Sequence, residues 1–287
     1  MTLDWLDRRR AALALSVMAA VLLAAPQCLA AEPVYSFGVV PQFDQRKIYA
    51  VWKPLLDELE RRTGAHFNLI SPSSVTQFER DLAGGEYDFV YANPYHIVRQ
   101  LTRQGYVPLV RDEIPVTGLV VVPKDSPITT VHQLQGKVMA VPSPNAVGAS
   151  LLVRTDLRRL FGIEVRPFDA RTHTSVYLHV ANRLVDAGGG VQKSLQEQSA
   201  DVQGALRVIY RTREMPSHPV CGHPRVPAPL RDQVRRSLLE MDASPEGHAL
   251  LAPVPVTRLV TAANDDYRPL IAWGLDEFWW DGEGVPR

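Results

Sequence analysis

The sequence contains very little cysteine. Of its 287 residues only Cys28 and Cys221 are cysteines, and Cys28 lies in an N-terminal segment that we expect to be removed. A chain with one remaining cysteine forms no internal disulfide, so its stability must come from a hydrophobic core, which a chain of this length can supply. We expect Cys221 to be a small buried apolar residue, because no histidine and carboxylate pair is placed to activate it.

The sequence also has no excess of charge. Basic and acidic side chains number 31 each, and loss of the first thirty residues removes three basic and two acidic residues, which leaves a net charge of −1. Nucleic-acid-binding domains usually carry a clustered basic surface and a pI above about 9. We therefore expect no nucleic-acid partner.

No stretch of the chain reaches the eighteen or so uninterrupted apolar residues that a membrane-spanning helix needs. The N-terminus has three basic residues at positions 8–10, a short alanine-rich apolar segment at 11–25, and small residues up to Ala30. This order is typical of a signal peptide. We predict a signal peptide over residues 1–30, cleavage near Ala30, and a soluble periplasmic protein.

Two details of export follow from the same segment. Pro26 and Gln27 stand where a bacterial lipoprotein signal needs small residues, which argues against a lipid anchor on Cys28. The paired arginines at positions 8–10 are compatible with either general secretion or twin-arginine export.

The signatures of catalysis and metal binding are missing as well. His173 and His179 are six residues apart and do not share a helix face, while His218 and His223 flank prolines in a predicted loop. The chain contains neither a G-x-S-x-G elbow nor a G-x-x-x-x-G-K phosphate loop. We predict no metal, no cofactor and no enzymatic activity.

What the chain does contain is a repeated unit of apolar strand, polar or glycine-containing turn, and amphipathic helix. The clearest helix is predicted over residues 47–63, with Ile48, Trp52 and Leu55 on one face and Gly64 as its end. Strands are predicted at 35–40, 66–70, 88–91 and 107–110, with further helices from Val75 to the glycines at 84–85 and at 94–104. This pattern predicts an open α/β sheet with right-handed crossovers.

A second series of such units follows a break in the pattern. The apolar strand at 119–123 is interpreted as a first crossing between two lobes, and the second series comprises strands at 138–141, 165–168 and 206–210 and a helix at 147–161. Prolines between positions 216 and 229 then mark a return, followed by helices at 231–239 and 266–278. The predicted domains are lobe one over 31–120, lobe two over 121–215, and a return to lobe one over 216–287.

Residues 171–190 combine hydrogen-bonding side chains, a helix start and three glycines. Hydroxyls flank His173 just before an apolar run, so one of them can cap the helix while another group faces a ligand. The run places Val176, Val180 and Leu184 at a spacing of four, and Gly188, Gly189 and Gly190 would let another group approach the backbone closely. The segment is interpreted as a ligand-binding loop, and a capped surface helix followed by a flexible turn is the alternative.

Six segments taken in order carry a family resemblance. They are residues 37–40 (FGVV) before the helix containing Trp52, 88–95 (DFVYANPY), 134–137 (LQGK), 142–148 (PSPNAVG), His173 before a helix, and 185–187 (VDA). Together they resemble the periplasmic phosphate, phosphite and phosphonate-binding proteins of ABC importers, over nearly all of the mature chain. The resemblance implies a two-lobed type II periplasmic binding fold, with the ligand in a cleft between lobes that close by a hinge motion.

The resemblance and the chemistry of the side chains together suggest a set of ligand-binding residues. The unpaired N–H groups at the start of the helix after Asn145 favour an oxyanion. Tyr91, Asn93 and Tyr95 would donate from lobe one, and His173 from lobe two. The full predicted set is Tyr91, Asn93, Tyr95, Asn145, Ala146, Val147, Gly148, His173, Lys193 and His218.

The chain departs from the phosphonate-binding pattern at three places. That pattern has a run of hydroxyl side chains where this chain has Asn145, Ala146 and Val147, so fewer side chains can donate. Phosphonate binders that recognise an amino group use acidic side chains where this chain has Lys193 and His218. An aminoalkylphosphonate is therefore disfavoured, and a more negatively charged ligand without an ammonium group is favoured.

The leading hypothesis is a monomeric solute-binding protein that captures a small oxyanion and delivers it to an ABC permease in the inner membrane. One alternative keeps the fold but makes the protein a sensor that presents its closed form to a membrane receptor kinase, since both roles need one liganded state that a partner recognises. Another alternative is a different small anion.

Overall fold

The computed structural model describes residues 33–254 and 256–282, and the predicted signal peptide therefore lies outside the described residues. In chain order the strands are Val34–Val39 (β1), His66–Ile70 (β2), Phe89–Tyr91 (β3), Val107–Asp112 (β4), Val116–Pro123 (β5), Val138–Val141 (β6), Arg166–Asp169 (β7), Ala187–Val191 (β8), Leu206–Met215 (β9), Pro219–Gly222 (β10) and Leu259–Thr261 (β11). The helices are Gln45–Thr63 (α1), Val75–Gly84 (α2), Pro94–Gln100 (α3), Leu152–Phe161 (α4), His173–Ala181 (α5), Gln192–Gln196 (α6), Ala200–Gly204 (α7), Ala228–Asp242 (α8), Pro245–Leu251 (α9) and Asn264–Tyr267 (α10).

The strands form two sheets, and each sheet defines a lobe. Lobe one has the order β11-β4-β10-β3-β1-β2, and lobe two has the order β7-β6-β8-β5-β9. Strands β1, β2 and β3 are parallel, as are β6, β7 and β8, and the chain connects them through helices. The prediction of a two-lobed α/β fold is confirmed. None of the described helices is long and apolar enough to cross a membrane.

Lobe one follows the predicted pattern closely. Asp44 caps α1 by accepting from the backbone N–H of Lys47, and Gly64 ends the helix with a φ of 69°. The predicted apolar face is buried against the first sheet, which confirms the predicted helix. Strand β10 lies between β3 and β4 and pairs antiparallel with both, so the returning chain completes this sheet. Cys221 lies in β10 and is fully buried, as expected.

The first crossing between the lobes is not where the sequence pattern suggested. The segment 119–123, interpreted as a crossing, lies wholly within β5, which pairs with β8 and β9 in the second sheet. The chain crosses instead at residues 113–115, between β4 and β5, and returns at 216–218. An uninterrupted apolar strand looks the same in either lobe, because only its partners in the sheet reveal its position.

The glycines of lobe two let a helix lie directly on the sheet. Residues 147–151 form one π-helical turn that leads into α4. A Cβ at Gly118 would come within 3.0 Å of the carbonyl oxygen of Gly148, and one at Gly189 equally close to that of Ala149. Only glycine fits at these two strand positions, and the helix start is thereby held against β5 and β8.

The segment 171–190 is resolved into a cap, a helix and a strand. Thr172 caps α5 by accepting from the N–H of Ser175, in agreement with the sequence. The helix ends at Ala181, so Leu184 lies outside it and is exposed. The three glycines form β8 rather than a turn, and the groups that approach them belong to lobe two itself.

The C-terminal segment differs from the predicted helix over 266–278. It forms α10 and two 3-10 turns, Arg268–Trp273 and Leu275–Phe278, because Pro269 and Gly274 interrupt regular helix. The sequence pattern placed it on lobe one, but its apolar side chains pack between the lobes, against Tyr95 and Val98 on one side and residues of the π-helical turn on the other. Helices α8 and α9 do pack on lobe one.

Candidate functional site

A cavity of about 470 Å³ lies between the two sheets. Its lining comes from the segments that follow the carboxyl ends of the parallel strands in both lobes: residues 40–43 after β1, Asn93 after β3, Pro142 and Ser143 after β6, His173 after β7, and Lys193 and Ser194 after β8. Ligands of open α/β sheets bind at this edge. The volume lies within the range of small-molecule sites, about 300–1,000 Å³.

The lobe-one wall is formed by aromatic, imidazole and amide side chains. Tyr91 ends β3 and stacks on His218, with 5.5 Å between the ring centroids. Gln42 Nε2 donates to His218 Nε2 over 2.9 Å, so the other ring nitrogen, Nδ1, carries the proton when the ring is neutral. Burial, together with the nearby His96 and His173, lowers the pKa of His218 to about 3. His218 is therefore neutral at physiological pH and offers hydrogen bonds rather than charge.

Asn93 lies in the cavity lining and also begins α3. Its Oδ1 accepts from the N–H of His96, and its Nδ2 lies 3.4 Å from the carbonyl oxygen of Asn145 in lobe two. His96 is buried beside it, with Nε2 3.0 Å from Glu79 Oε1. The same Nε2 lies 3.0 Å from Asn93 Nδ2, so this ring nitrogen faces a carboxylate and an amide donor together. Among the described residues Nδ1 of His96 has no hydrogen-bond partner.

The lobe-two wall presents main-chain groups at the start of the π-helical turn. Ala146, Val147, Gly148 and Ala149 all line the cavity. The first helical hydrogen bonds are donated by Ser150 and Leu151 to the carbonyl of Ala146, so the N–H groups of the three residues before them have no partner in the described part of the chain. Three unpaired N–H groups at the positive end of a helix form a site for an anion.

His173 is the first residue of α5 and lines the same cavity. Burial lowers the pKa of its imidazole to about 4, so the ring is neutral at physiological pH. Its Nδ1 is buried and has no hydrogen-bond partner among the residues described. A buried polar atom without a partner costs free energy unless a ligand or water satisfies it. His173 is thus available to donate to or accept from a bound molecule.

Two predicted site residues do not line the cavity. The Tyr95 hydroxyl donates to Asp276 Oδ2 over 3.0 Å, and its ring packs with the C-terminal segment. Asn145 Nδ2 donates to Glu79 Oε2 and to the carbonyl of Trp280, while its Oδ1 accepts from the Trp280 N–H. Both side chains bind the C-terminal segment, because each points away from the cavity at its helix start.

Lys193 lines the cavity but is already engaged. Its Nζ lies 3.5 Å from Asp112 Oδ2 and 3.2 Å from Thr257 Oγ1, both in lobe one. Asp112 also accepts from the backbone N–H groups of Thr257 and Arg258. Lys193, a predicted ligand-binding residue, therefore bridges the two lobes in this structure.

Several lining residues were missed by the sequence interpretation: Gln42, His96, Asp112, Ser143 and Arg171. The signal that could have found Gln42, Ser143 and Arg171 is their position just after a strand that ends at the cavity. His96 and Asp112 gave no such signal, since their neighbours come from distant parts of the chain. No three histidine, cysteine or acidic side chains of the described residues are grouped to hold a metal ion.

The chain matches a family model over residues 37–267, whose description is "ABC transporter, phosphonate, periplasmic substrate-binding protein". No curated protein gives a significant match.

Many solved structures share the fold. A binding-protein component of an ABC phosphonate transporter from Pseudomonas aeruginosa is 16% identical with a TM-score of 0.73, covering 86% of this chain and 87% of its own. PhnD1 from Prochlorococcus marinus, solved with methylphosphonate, is 14% identical with a TM-score of 0.76, covering 85% and 98%. A Xanthomonas citri protein solved with chloride is 20% identical with a TM-score of 0.73, covering 85% and 98%.

Proposed function

The chain belongs to the periplasmic substrate-binding proteins of ABC phosphonate transporters, and we propose that it captures a small oxyanion of the phosphonate, phosphite or phosphate type in the cavity between its lobes. Membership of this family implies a periplasmic location, a small ligand and an ABC permease as partner. The observation that carries the ligand class is the row of unpaired backbone N–H groups at Val147, Gly148 and Ala149, three residues that line the cavity.

The proposed ligand contacts come from both lobes. The N–H groups of the π-helical turn (residues 146–149) and His173 would bind the oxyanion from lobe two, and Tyr91, Asn93 and His218 would bind it from lobe one. Both histidines are neutral, so they offer hydrogen bonds without charge: His218 can donate its Nδ1–H, since its Nε2 accepts from Gln42, and the unpartnered Nδ1 of His173 can donate or accept. Tyr95 and Asn145 would act indirectly by fixing the two helix starts.

The proposed organisation refines the predicted domains. Lobe one comprises residues 34–112, 219–254 and 256–261, and lobe two comprises residues 116–215. We propose that residues 1–30 are a cleaved signal peptide, that the mature protein is a monomer, and that it catalyses no reaction. A role in sensing has no observation of its own in its favour.

The test is a binding screen on the protein without residues 1–30. Thermal shift and calorimetry would compare phosphate, phosphite, methylphosphonate, sulfate, nitrate and small carboxylates. An anion present at 100-fold its dissociation constant stabilises the fold by about 2.7 kcal/mol. We expect stabilisation by at least one phosphorus oxyanion and none by nitrate. Binding of carboxylates with no response to any phosphorus oxyanion would overturn the proposal.

A further inference from the structure

Arg171 has an unusual backbone at the edge of the cavity. Its φ is 69°, in the left-handed region that favours glycine, and among the described residues only Arg183 shares this property without being glycine. A side chain there costs free energy that a glycine would avoid. The backbone N–H of Arg171 donates to Asp169 Oδ1, which stabilises the turn without involving the guanidinium.

The guanidinium of Arg171 is the cation of the cavity lining that has no fixed partner. Lys193 is bound to Asp112 and Thr257, whereas the side chain of Arg171 is exposed and makes neither a hydrogen bond nor an ion pair within the described parts of the chain, although its charge acts at longer range on the Asp169 carboxyl. A planar guanidinium binds phosphonate and carboxylate oxygens in pairs. The guanidinium of Arg171 thus adds a positive charge to the cavity. The histidines are neutral, and the side chains of Ala146 and Val147 at the helix start carry no charge.

Beside its polar side chains, the lobe-one side of the cavity also has an apolar part. Lobe one and the first crossing contribute a wall of carbon atoms, from Val40, Pro41, Phe43, Val75, Ile114 and Pro115. A cavity of about 470 Å³ has the size of a site for a drug-like ligand, which is far larger than a lone phosphate. Apolar surface of this kind is stabilised by contact with an apolar group.

We propose that Arg171 binds the anionic head group of the ligand. The ligand is then an organic oxyanion with an apolar substituent larger than methyl, and this substituent packs against the apolar residues of lobe one and the first crossing. This inference rests on the proposed function and narrows its ligand class. Glu197 and Glu214 also line the cavity at exposed positions, and their carboxylates could bind an ammonium group. A ligand with an ammonium group is therefore the competing class, and the experiment includes one.

The test compares R171G with R183G. Glycine tolerates the backbone at both positions, both variants remove one positive charge, and Arg183 pairs with Asp125 away from the cavity lining. Calorimetry would use phenylphosphonate, methylphosphonate, 2-aminoethylphosphonate and phosphate as probes. We expect the wild type to bind phenylphosphonate at least about tenfold more tightly than methylphosphonate, R171G to lose about tenfold or more of that affinity, and R183G to lose none.

The outcomes separate this inference from the proposed function. If the wild type binds these probes but R171G and R183G have equal affinity, Arg171 is not the anchor and the proposed function stands. If methylphosphonate or 2-aminoethylphosphonate binds more tightly than phenylphosphonate, the proposal that the ligand carries a large apolar substituent is wrong. If the wild type binds no phosphorus oxyanion at all, both proposals fail. The thermal unfolding temperature of R171G should be equal to or higher than that of the wild type, because glycine relieves the backbone strain at this position. A loss of affinity in R171G therefore cannot be ascribed to misfolding.

Discussion

The two walls of the cavity are built from different parts of the polypeptide. Lobe one presents side chains, with Tyr91 and His218 stacked and Asn93 beside them, whereas lobe two presents backbone N–H groups at the start of a helix. A wall of side chains can be altered one residue at a time. The positions of backbone N–H groups depend on how the helix packs on its sheet. Residues that do not contact the ligand, such as the glycines of β5 and β8, therefore determine these positions.

The largest expected effect is on the backbone wall. In Gly189→Val the new side chain would collide with the carbonyl of Ala149 and push the helix start away from the sheet. We expect the free energy of unfolding to fall by about 3 kcal/mol, with weaker anion binding in the protein that still folds. Urea unfolding and calorimetry would measure both. Gly204→Val is the control, because no atom lies within 4 Å of a Cβ at Gly204. Equal stability of the two variants would show that the helix start does not depend on this contact.

A smaller effect is expected from the one imidazole on the backbone wall. His173→Ala removes a buried hydrogen-bonding group that has no partner in the described chain, so binding should weaken by about 2 kcal/mol while stability changes little. His132→Ala, an exposed histidine of the same lobe, should leave affinity unchanged. Calorimetry with the best anion of the screen is the measurement. Unchanged affinity in His173→Ala would show that His173 does not contact the ligand and that the side-chain contacts come from lobe one.

The two walls should respond alike to pH. The folded-state pKa values of His173 and His218, about 4 and 3, lie below the ordinary value of 6.5, so the unfolded chain binds more protons between these limits. Their contribution to stability is therefore complete above pH 6.5 and is lost as the pH falls toward 4. We expect a loss of about 2 kcal/mol per histidine between pH 7 and 5 in urea unfolding. The double variant His173→Asn, His218→Gln should lack this part of the pH dependence, and a wild-type profile in that variant would contradict the assignment.

The smallest effect on affinity and stability is expected from Lys193, which bridges the two lobes. Lys193→Met breaks the bridge to Asp112, but the carboxylate keeps its bonds to the backbone of Thr257 and Arg258. Because the lysine is partly exposed, affinity and stability should each change by less than about 1 kcal/mol, and less again at high salt. A loss as large as that of His173→Ala would show that the ammonium group itself contacts the ligand.

Local features of the fold were predictable from the sequence because their causes are local. Asp44 and Gly64 mark the ends of α1, and Thr172 marks the start of α5, through contacts within a few residues of the chain. The two-lobed architecture was predictable for the same reason, since the alternation of strands and helices restarts after a break.

The errors concern contacts between distant residues. The strand β5 was misplaced because its partners, β8 and β9, lie about seventy to a hundred residues further along the chain. Tyr95 and Asn145 were assigned to the ligand because they stand at helix starts, but their partners in the C-terminal segment are more than 130 residues away. Arg171 was passed over because a φ of 69° is a property of the folded turn and leaves no pattern in the residue type.

The position of β10 between β3 and β4 determines the order in which the two halves of the molecule can form. Lobe two is built from the continuous stretch 116–215 and has all its strands once that stretch has emerged, whereas the sheet of lobe one stays divided until residues 219–222 arrive. A chain that becomes available from its N-terminus onward would complete its second lobe before its first. Until then strand β3 has an unpaired edge beside β1 and β2, and such an edge favours association with other chains.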